Sequence, residues 1–134
     1  MKSPEELVRG FFEAWNQRDV ETIRALAHED VEYVNPPMAL EPGTRHGRDE
    51  LVRVCEAQWE VLDSVTLERV ESRKDVHFSV QMLRGTIPGS ETHLDTPVVS
   101  RWSFRDGLVT RLEMLGLGSS FEDALKEAGL EGSP

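Results

Sequence analysis

Four histidines and a few well-placed carboxylates bound the proton chemistry open to this 134-residue chain. His77 lies in a stretch of alternating polarity, where successive side chains point to opposite faces of a strand. Turned inward it is a candidate general base, and it is the candidate catalytic residue. Asp95 and Glu113 are the acidic candidates. His93 and Asp95, two positions apart, share a face, but a metal site needs a third convergent ligand, so no metal is expected. His28 precedes a short acidic turn and reads as a helix-end residue, and His46 lies in a glycine-flanked loop. The aromatic residues Trp15, Tyr33, Trp59 and Trp102 each fall on the inward face of their element. They read either as core packing or as pocket walls, with the Tyr33 hydroxyl and the Asn35 amide as polar contacts.

Composition narrows the field. A hydrophobic fraction of 38% and a charged fraction of 30% describe an ordinary globular chain, and its length is that of one domain, residues 1–134. The net charge of −10 repels phosphate backbones and anionic lipid, so neither nucleic acid nor membrane is an expected partner. No apolar run approaches a membrane span, and no apolar stretch follows residues 1–6 as in a signal peptide. The single cysteine, Cys55, forms no internal disulfide, which fits a reducing compartment. The expected location is cytoplasmic.

The elements that must position these residues are legible in the spacing. Ser3, Pro4 and Glu6 mark a capped helix start, after which Leu7, Phe11 and Trp15 recur every four residues. A short second helix follows Asp19, burying Ile23, Leu26 and Ala27. Residues 31–35 alternate as a strand, ended by Pro36 and Pro37, and a loop runs through Gly43 and Gly47. A third helix spans 48–62 on the stripe Leu51, Cys55, Trp59 and Leu62. Then the period changes to two, giving strands at 65–71, 76–87, 91–105 and 108–117, with turn signals at Pro88-Gly89 and Asp106-Gly107. Residues 121–128 read as a short closing helix ended by Gly129. Helices first and a long-stranded meander after them mean α+β, with helices on one face of an antiparallel sheet. Long twisted strands curl, and the concave side becomes a pocket.

Register decides what faces that pocket. A two-residue turn at Asp106-Gly107 sets Glu113 opposite Ser100, and a three-residue turn sets Leu112 there. The three-residue turn is preferred, because it gathers Leu108, Leu112, Met114, Val98, Trp102 and Phe104 on one apolar face. Glu113 then lies outside with Arg101 and Arg111. In the preceding hairpin an even-length turn sets Ser100 opposite His77 and carries His77, Ser79 and Gln81 inward. The other register buries Val76, Phe78, Val80 and Met82 instead. Pro97 suggests a bulge, so both stay open.

The segments Val8-Arg9-Gly10-Phe11-Phe12-Glu13-Ala14-Trp15-Asn16, Arg18-Asp19-Val20 and Ala27-His28-Glu29-Asp30-Val31-Glu32-Tyr33 carry a resemblance. So do Gly47, Trp102-Ser103-Phe104-Arg105-Asp106-Gly107-Leu108-Val109 and the tail Ala124-Leu125-Lys126-Glu127-Ala128-Gly129-Leu130. In this order they resemble the SnoaL-like branch of the NTF2-like superfamily, and the tail is similar to the ending of many bacterial members. The resemblance implies a cone: a curved sheet wrapped around about three helices, with an internal cavity and a homodimer through the outer sheet face. Function does not follow from the fold. Steroid isomerases of this fold place a base before a proline, a tyrosine on the first helix and a carboxylic acid on a strand. The matching positions hold Asn35, Phe11 and Ser100. Epoxide hydrolases of the fold need an Arg-x-Asp pair and a last-strand aspartate, where this chain has Arg101, Ser103 and Met114. Neither pattern is met.

The leading expectation is a SnoaL-like protein holding a small, mostly apolar molecule, with Trp15, Tyr33, Asn35, Trp59, Ser100 and Trp102 as ligand-binding residues and no cofactor. One alternative is an acid–base isomerase, cyclase or dehydratase acting on a polyketide- or steroid-like substrate through His77. Another is a non-catalytic protein-interaction module.

Overall fold

Ser3 starts the first helix by accepting from the Glu6 amide at 3.2 Å, while the Glu6 carboxylate accepts from the Ser3 amide at 3.0 Å. This reciprocal box satisfies two donors that a helix start leaves open. The helix, α1 (Pro4–Gln17), buries Leu7, Val8, Phe11, Phe12, Ala14 and Trp15. It stops at Arg18, whose backbone turns left-handed at φ 56°. Asp19 then caps α2 (Val20–Leu26) through the Thr22 amide. In this computed structural model, residues 2–35, 42–73, 76–86 and 89–117 are described, with isolated positions beyond. The expected closing helix at 121–128 lies largely outside the described residues, as does the Pro36-Pro37 strand end.

The chain enters the sheet earlier than its alternation suggests. Strand β1 (Ala27–Asn35) begins as soon as α2 ends, so His28 is a strand residue. The expected loop through Gly43 contains a short edge strand, β2 (Gly43–His46), paired antiparallel with β1 from Glu32 to Asn35. Its four residues are mostly exposed and carry no apolar alternation to betray them. Helix α3 (Arg48–Trp59) is shorter than expected. The Glu60 and Val61 amides just past it turn back to the Ala57 and Gln58 carbonyls, and Leu62 becomes the first residue of β3 (Leu62–Arg73) instead of the last apolar position of a helix.

Strands β4 (Val76–Thr86), β5 (His93–Arg105) and β6 (Leu108–Leu117) complete a six-stranded sheet in the order β2-β1-β6-β5-β4-β3. It is mixed, not purely antiparallel. The meander β3–β6 runs antiparallel throughout, and β6 returns beside β1 in the same direction. Extra residues within β3 and β6 bend and twist the strands around the helices. The core lies between the helices and the concave sheet face, built on Phe11, Trp15, Val31, Leu51, Trp102 and Leu112 with their neighbours.

Two registers are now fixed. Asp106 and Gly107 both adopt positive φ, 57° and 73°, and Arg105 pairs with Leu108. This is the two-residue primed turn, so the three-residue turn is corrected. A bulge at Thr110 of β6, opposite the Ser103–Phe104 step, then slips the pairing by one, setting Trp102 opposite Leu112 and Ser100 opposite Met114. The apolar face that argued for the longer turn is recovered by the bulge. In the β4–β5 hairpin Ser79 pairs with Ser100, Gln81 with Val98 and His77 with Trp102. That is two residues from the even-turn expectation. A slip of two preserves facing, so Ser79 and Gln81 point inward.

Candidate functional site

A cavity of about 30 Å³ lies where α1, α3 and the concave sheet meet. In this arrangement it has room for roughly two water molecules, well below the usual volume of a ligand pocket. Phe11, Phe12 and Trp15 wall it from α1, and Leu62, Val65 and Leu83 from the far strands. The polar part of the wall is Tyr33, Gln58, Gln81 and Ser100. No carboxylate, histidine, lysine or cysteine belongs to the wall among the described residues.

Two hydrogen-bonded chains run through these polar groups. On the helix side the Trp15 indole donates to Gln58 Oε1 at 2.9 Å, and Gln58 Nε2 donates to the Tyr33 hydroxyl at 2.8 Å. On the sheet side the Trp102 indole donates to Ser79 Oγ, Ser79 to Gln81 Oε1, and Gln81 Nε2 to Ser100 Oγ, each at 2.8 Å. Ser79, Gln81 and Ser100 are almost wholly buried. An unpaired polar group there would cost about 1–3 kcal/mol, so the chain holds only because each member has a partner.

The frame around the cavity is tied down by side chains that replace backbone partners. Asn16, at the end of α1, accepts from the Val65 amide and donates to the Val65 carbonyl, both at 2.8 Å. Trp59 donates to the Trp15 carbonyl at 2.9 Å. The Arg18 guanidinium lies over both indoles, 5.4 Å from Trp59 and 5.9 Å from Trp15. Phe11 and Phe12 meet Trp102 edge-on at 5.4 and 5.6 Å, which fixes the ring that starts the sheet-side chain.

Of the residues singled out from sequence, Trp15, Tyr33 and Ser100 share the cavity wall. The other four do not reach it. Trp102 is one shell behind, connected through Ser79 and Gln81. Trp59 is half-buried outside Trp15, clamped by Arg18. Asn35 is buried at the end of β1 but forms no part of the wall. His77 faces inward beyond the cavity's end, where Nδ1 meets Ser72 Oγ at 2.8 Å and the ring packs edge-on against Phe104. It therefore has no access to a molecule in the cavity. Glu113 is on the outer face, bonded to Arg101 at 2.5 Å. Asp95 pairs with Arg84 while His93 turns to Thr86. Among the described residues no three His, Cys, Asp or Glu side chains converge.

Gln58 is the residue the sequence reading missed. Its signal is a polar residue on the inward stripe Leu51, Cys55, Gln58, a spacing of four and three that lies on one helix face. Burial pushes the Cys55 thiol up to about 12, with the Glu56 charge adding to it, so Cys55 is no thiolate nucleophile at neutral pH. Burial also holds the Tyr33 phenol well above its ordinary range, with the Gln58 hydrogen bond opposing. Tyr33 is therefore a hydroxyl donor and not a base.

A family model for the SnoaL-like domain matches residues 8–112. No curated protein matches the chain. Among solved structures, the chain is similar to a hypothetical protein of ketosteroid isomerase-like fold from Catenulispora acidiphila, in complex with trimethylamine. The two share 20% identity over 96% of this chain and 95% of that one, with a TM-score of 0.72. Bal32a, from a soil-derived mobile gene cassette, gives a TM-score of 0.76 at 18% identity over 86% and 88% of the two chains. A protein of unknown function with a cystatin-like fold from Xanthomonas campestris gives 0.75 at 13% identity over 92% and 96%. At these identities the likeness is one of fold, a helix-backed α+β cone. With the family model spanning most of its length, the chain belongs to the SnoaL-like domain family.

Proposed function

We propose that this protein binds a small, mostly apolar molecule in the cavity between α1, α3 and the sheet. The observation that carries this is the wall itself: aromatic and aliphatic groups with four neutral polar side chains. General acid–base catalysis needs a group that titrates near neutral pH within reach of the substrate, and the described wall has none. That weighs against the isomerase, cyclase or dehydratase alternative. The cavity itself has room for about two waters, so a compact molecule enters it as Leu62 and Leu83 turn aside. A structural relative in complex with trimethylamine supports a small-molecule occupant. The test is a two-dimensional NMR titration with a panel of compact neutral molecules. Binding will move the Trp15 indole and the Gln58 and Gln81 amide resonances together; a panel that moves none of them would refute the reading.

We further propose a homodimer through the outer sheet face and a cytoplasmic location. The outer face presents Arg101, Arg111 and Glu113. Val99 is already buried within one chain, and Val76 is the exposed large apolar side chain among the described residues. A dimer on this face would thus rest on polar contacts and weaken with salt. Light scattering at micromolar concentration, with and without 1 M salt, checks it; a monomer mass at low salt would rule it out. No helix among the described residues is long and apolar enough to cross a membrane, and the one cysteine is a buried free thiol.

A further inference from the structure

The two hydrogen-bonded chains have a direction. An indole N–H donates and accepts nothing. Trp102 therefore obliges Ser79 Oγ to accept, and the single Ser79 hydrogen goes to Gln81 Oε1. The amide's other end then donates to Ser100 Oγ. With the amide turned round, two N–H groups would point at Ser79 and its own hydrogen would lack an acceptor within the chain. On the helix side Trp15 imposes the same order: Gln58 accepts with its oxygen and donates with its nitrogen to the Tyr33 oxygen.

Both chains therefore end on a hydroxyl whose oxygen is already accepting and whose hydrogen is still to be given. Among the described residues neither the Ser100 nor the Tyr33 hydroxyl donates to an acceptor, and both line the same cavity. A buried donor left without an acceptor is the costlier default; an under-used lone pair is tolerated. The burial that holds Tyr33 protonated keeps its hydrogen in place across the physiological range.

We propose that the cavity selects molecules whose polar atom is a hydrogen-bond acceptor, specifically a carbonyl oxygen, received by the Ser100 and Tyr33 hydroxyls, with Gln81 and Gln58 as positioning residues that turn those hydroxyls into donors. This rests on the small-molecule reading above. It assigns the ligand class as compact ketones, esters or amides and excludes ammonium groups, which bring only donors to a wall that needs acceptors.

The test compares butan-2-one with 2-methylbut-1-ene, in which a methylene replaces the carbonyl oxygen at nearly constant shape, and with sec-butylammonium. Affinities are read from the Trp15 and Trp102 indole resonances, the far ends of the two chains. The ketone is expected to bind about tenfold or more tightly than the alkene, the scale of one hydrogen bond to a buried donor. The ammonium ion is expected not to bind. In Gln81→Glu the carboxylate accepts from both Ser79 and Ser100, drawing the Ser100 hydrogen away from the cavity. The preference for ketone over alkene should fall several-fold. Ser100→Ala removes the donor without burying a charge and should do the same, so the prediction stands even if Gln81→Glu fails to fold. Equal binding of ketone and alkene, preferred binding of the ammonium ion, or an unchanged preference in Ser100→Ala would overturn the proposal and leave the cavity reading intact. If no probe moves the cavity resonances, the cavity reading fails and takes the proposal with it.

Discussion

Tyr33 is the only tyrosine in the chain, so its ionisation can be followed alone by tyrosinate absorbance. Burial raises its folded value above the ordinary phenol range. A raised folded value gives stability that is complete below the unfolded value, about 10, and is lost as the pH climbs beyond it, at about 1.4 kcal/mol per pH unit. Cys55, pushed up to about 12, adds a parallel loss that starts at the unfolded thiol value, near 8.5. The expected outcome is no native tyrosinate signal near pH 10 and its appearance only with alkaline unfolding. Tyr33→Phe should flatten part of the alkaline slope and leave the Cys55 part. Gln58 carries a second prediction. Gln58→Leu removes the acceptor of the Trp15 indole and the donor to Tyr33, and should cost about 1–3 kcal/mol in urea unfolding. Combined with Tyr33→Phe the loss should be less than the sum, because the two residues share one bond. At this scale the burial of Trp15, Tyr33 and Trp102 was legible from period alone, and that of Trp59, half-buried outside Trp15, was not. Gln58 was not, because the apolar stripe of α3 can also be read through Trp59, and the more hydrophobic residue masks the polar one beside it. His77 had the right face and the wrong place along the strand, which facing alone does not reveal.

Elements were read well where local chemistry dictates them and poorly where tertiary pairing does. The start of α1 follows from Ser3, Pro4 and Glu6 without help from the rest of the chain. β2 has no pattern of its own and exists because the Glu32–Asn35 edge offers it partners. The Asp106-Gly107 turn was miscounted because two different devices, a longer turn or a shorter turn plus a bulge, give the same facing. Asn16 belongs to this scale. Its amide pairs with both backbone groups of Val65 and so does the work of a neighbouring strand residue for β3. Asn16→Ala should lose about 1–2 kcal/mol for the two hydrogen bonds and speed exchange of the Val65 amide selectively. Uniformly faster exchange along β3 would mean that the side chain is not what anchors it. Gly85 has a similarly local reason: a β-carbon there would collide with the Val61 carbonyl and the Leu62 backbone, so Gly85→Ala forces β3 and β4 apart at the Leu62 end of their pairing, far from the hairpin that joins them.

For the whole molecule, the cone was legible because helices, then long strands, then turn residues leave few ways to bury one apolar face. The size of the cavity was not. It depends on how Leu62, Val65 and Leu83 meet α1, and two register shifts within β3 set that meeting. The fold gives an enclosure, and the two tryptophan-led chains give that enclosure a polarity. A crystal structure of the protein soaked with butan-2-one tests this most directly. The account predicts density between α1, α3 and the sheet, with the ketone oxygen within hydrogen-bond distance of the Tyr33 or Ser100 hydroxyl and both glutamine amides unmoved. Ketone bound elsewhere, or bound in the cavity with its oxygen turned away from both hydroxyls, would contradict it.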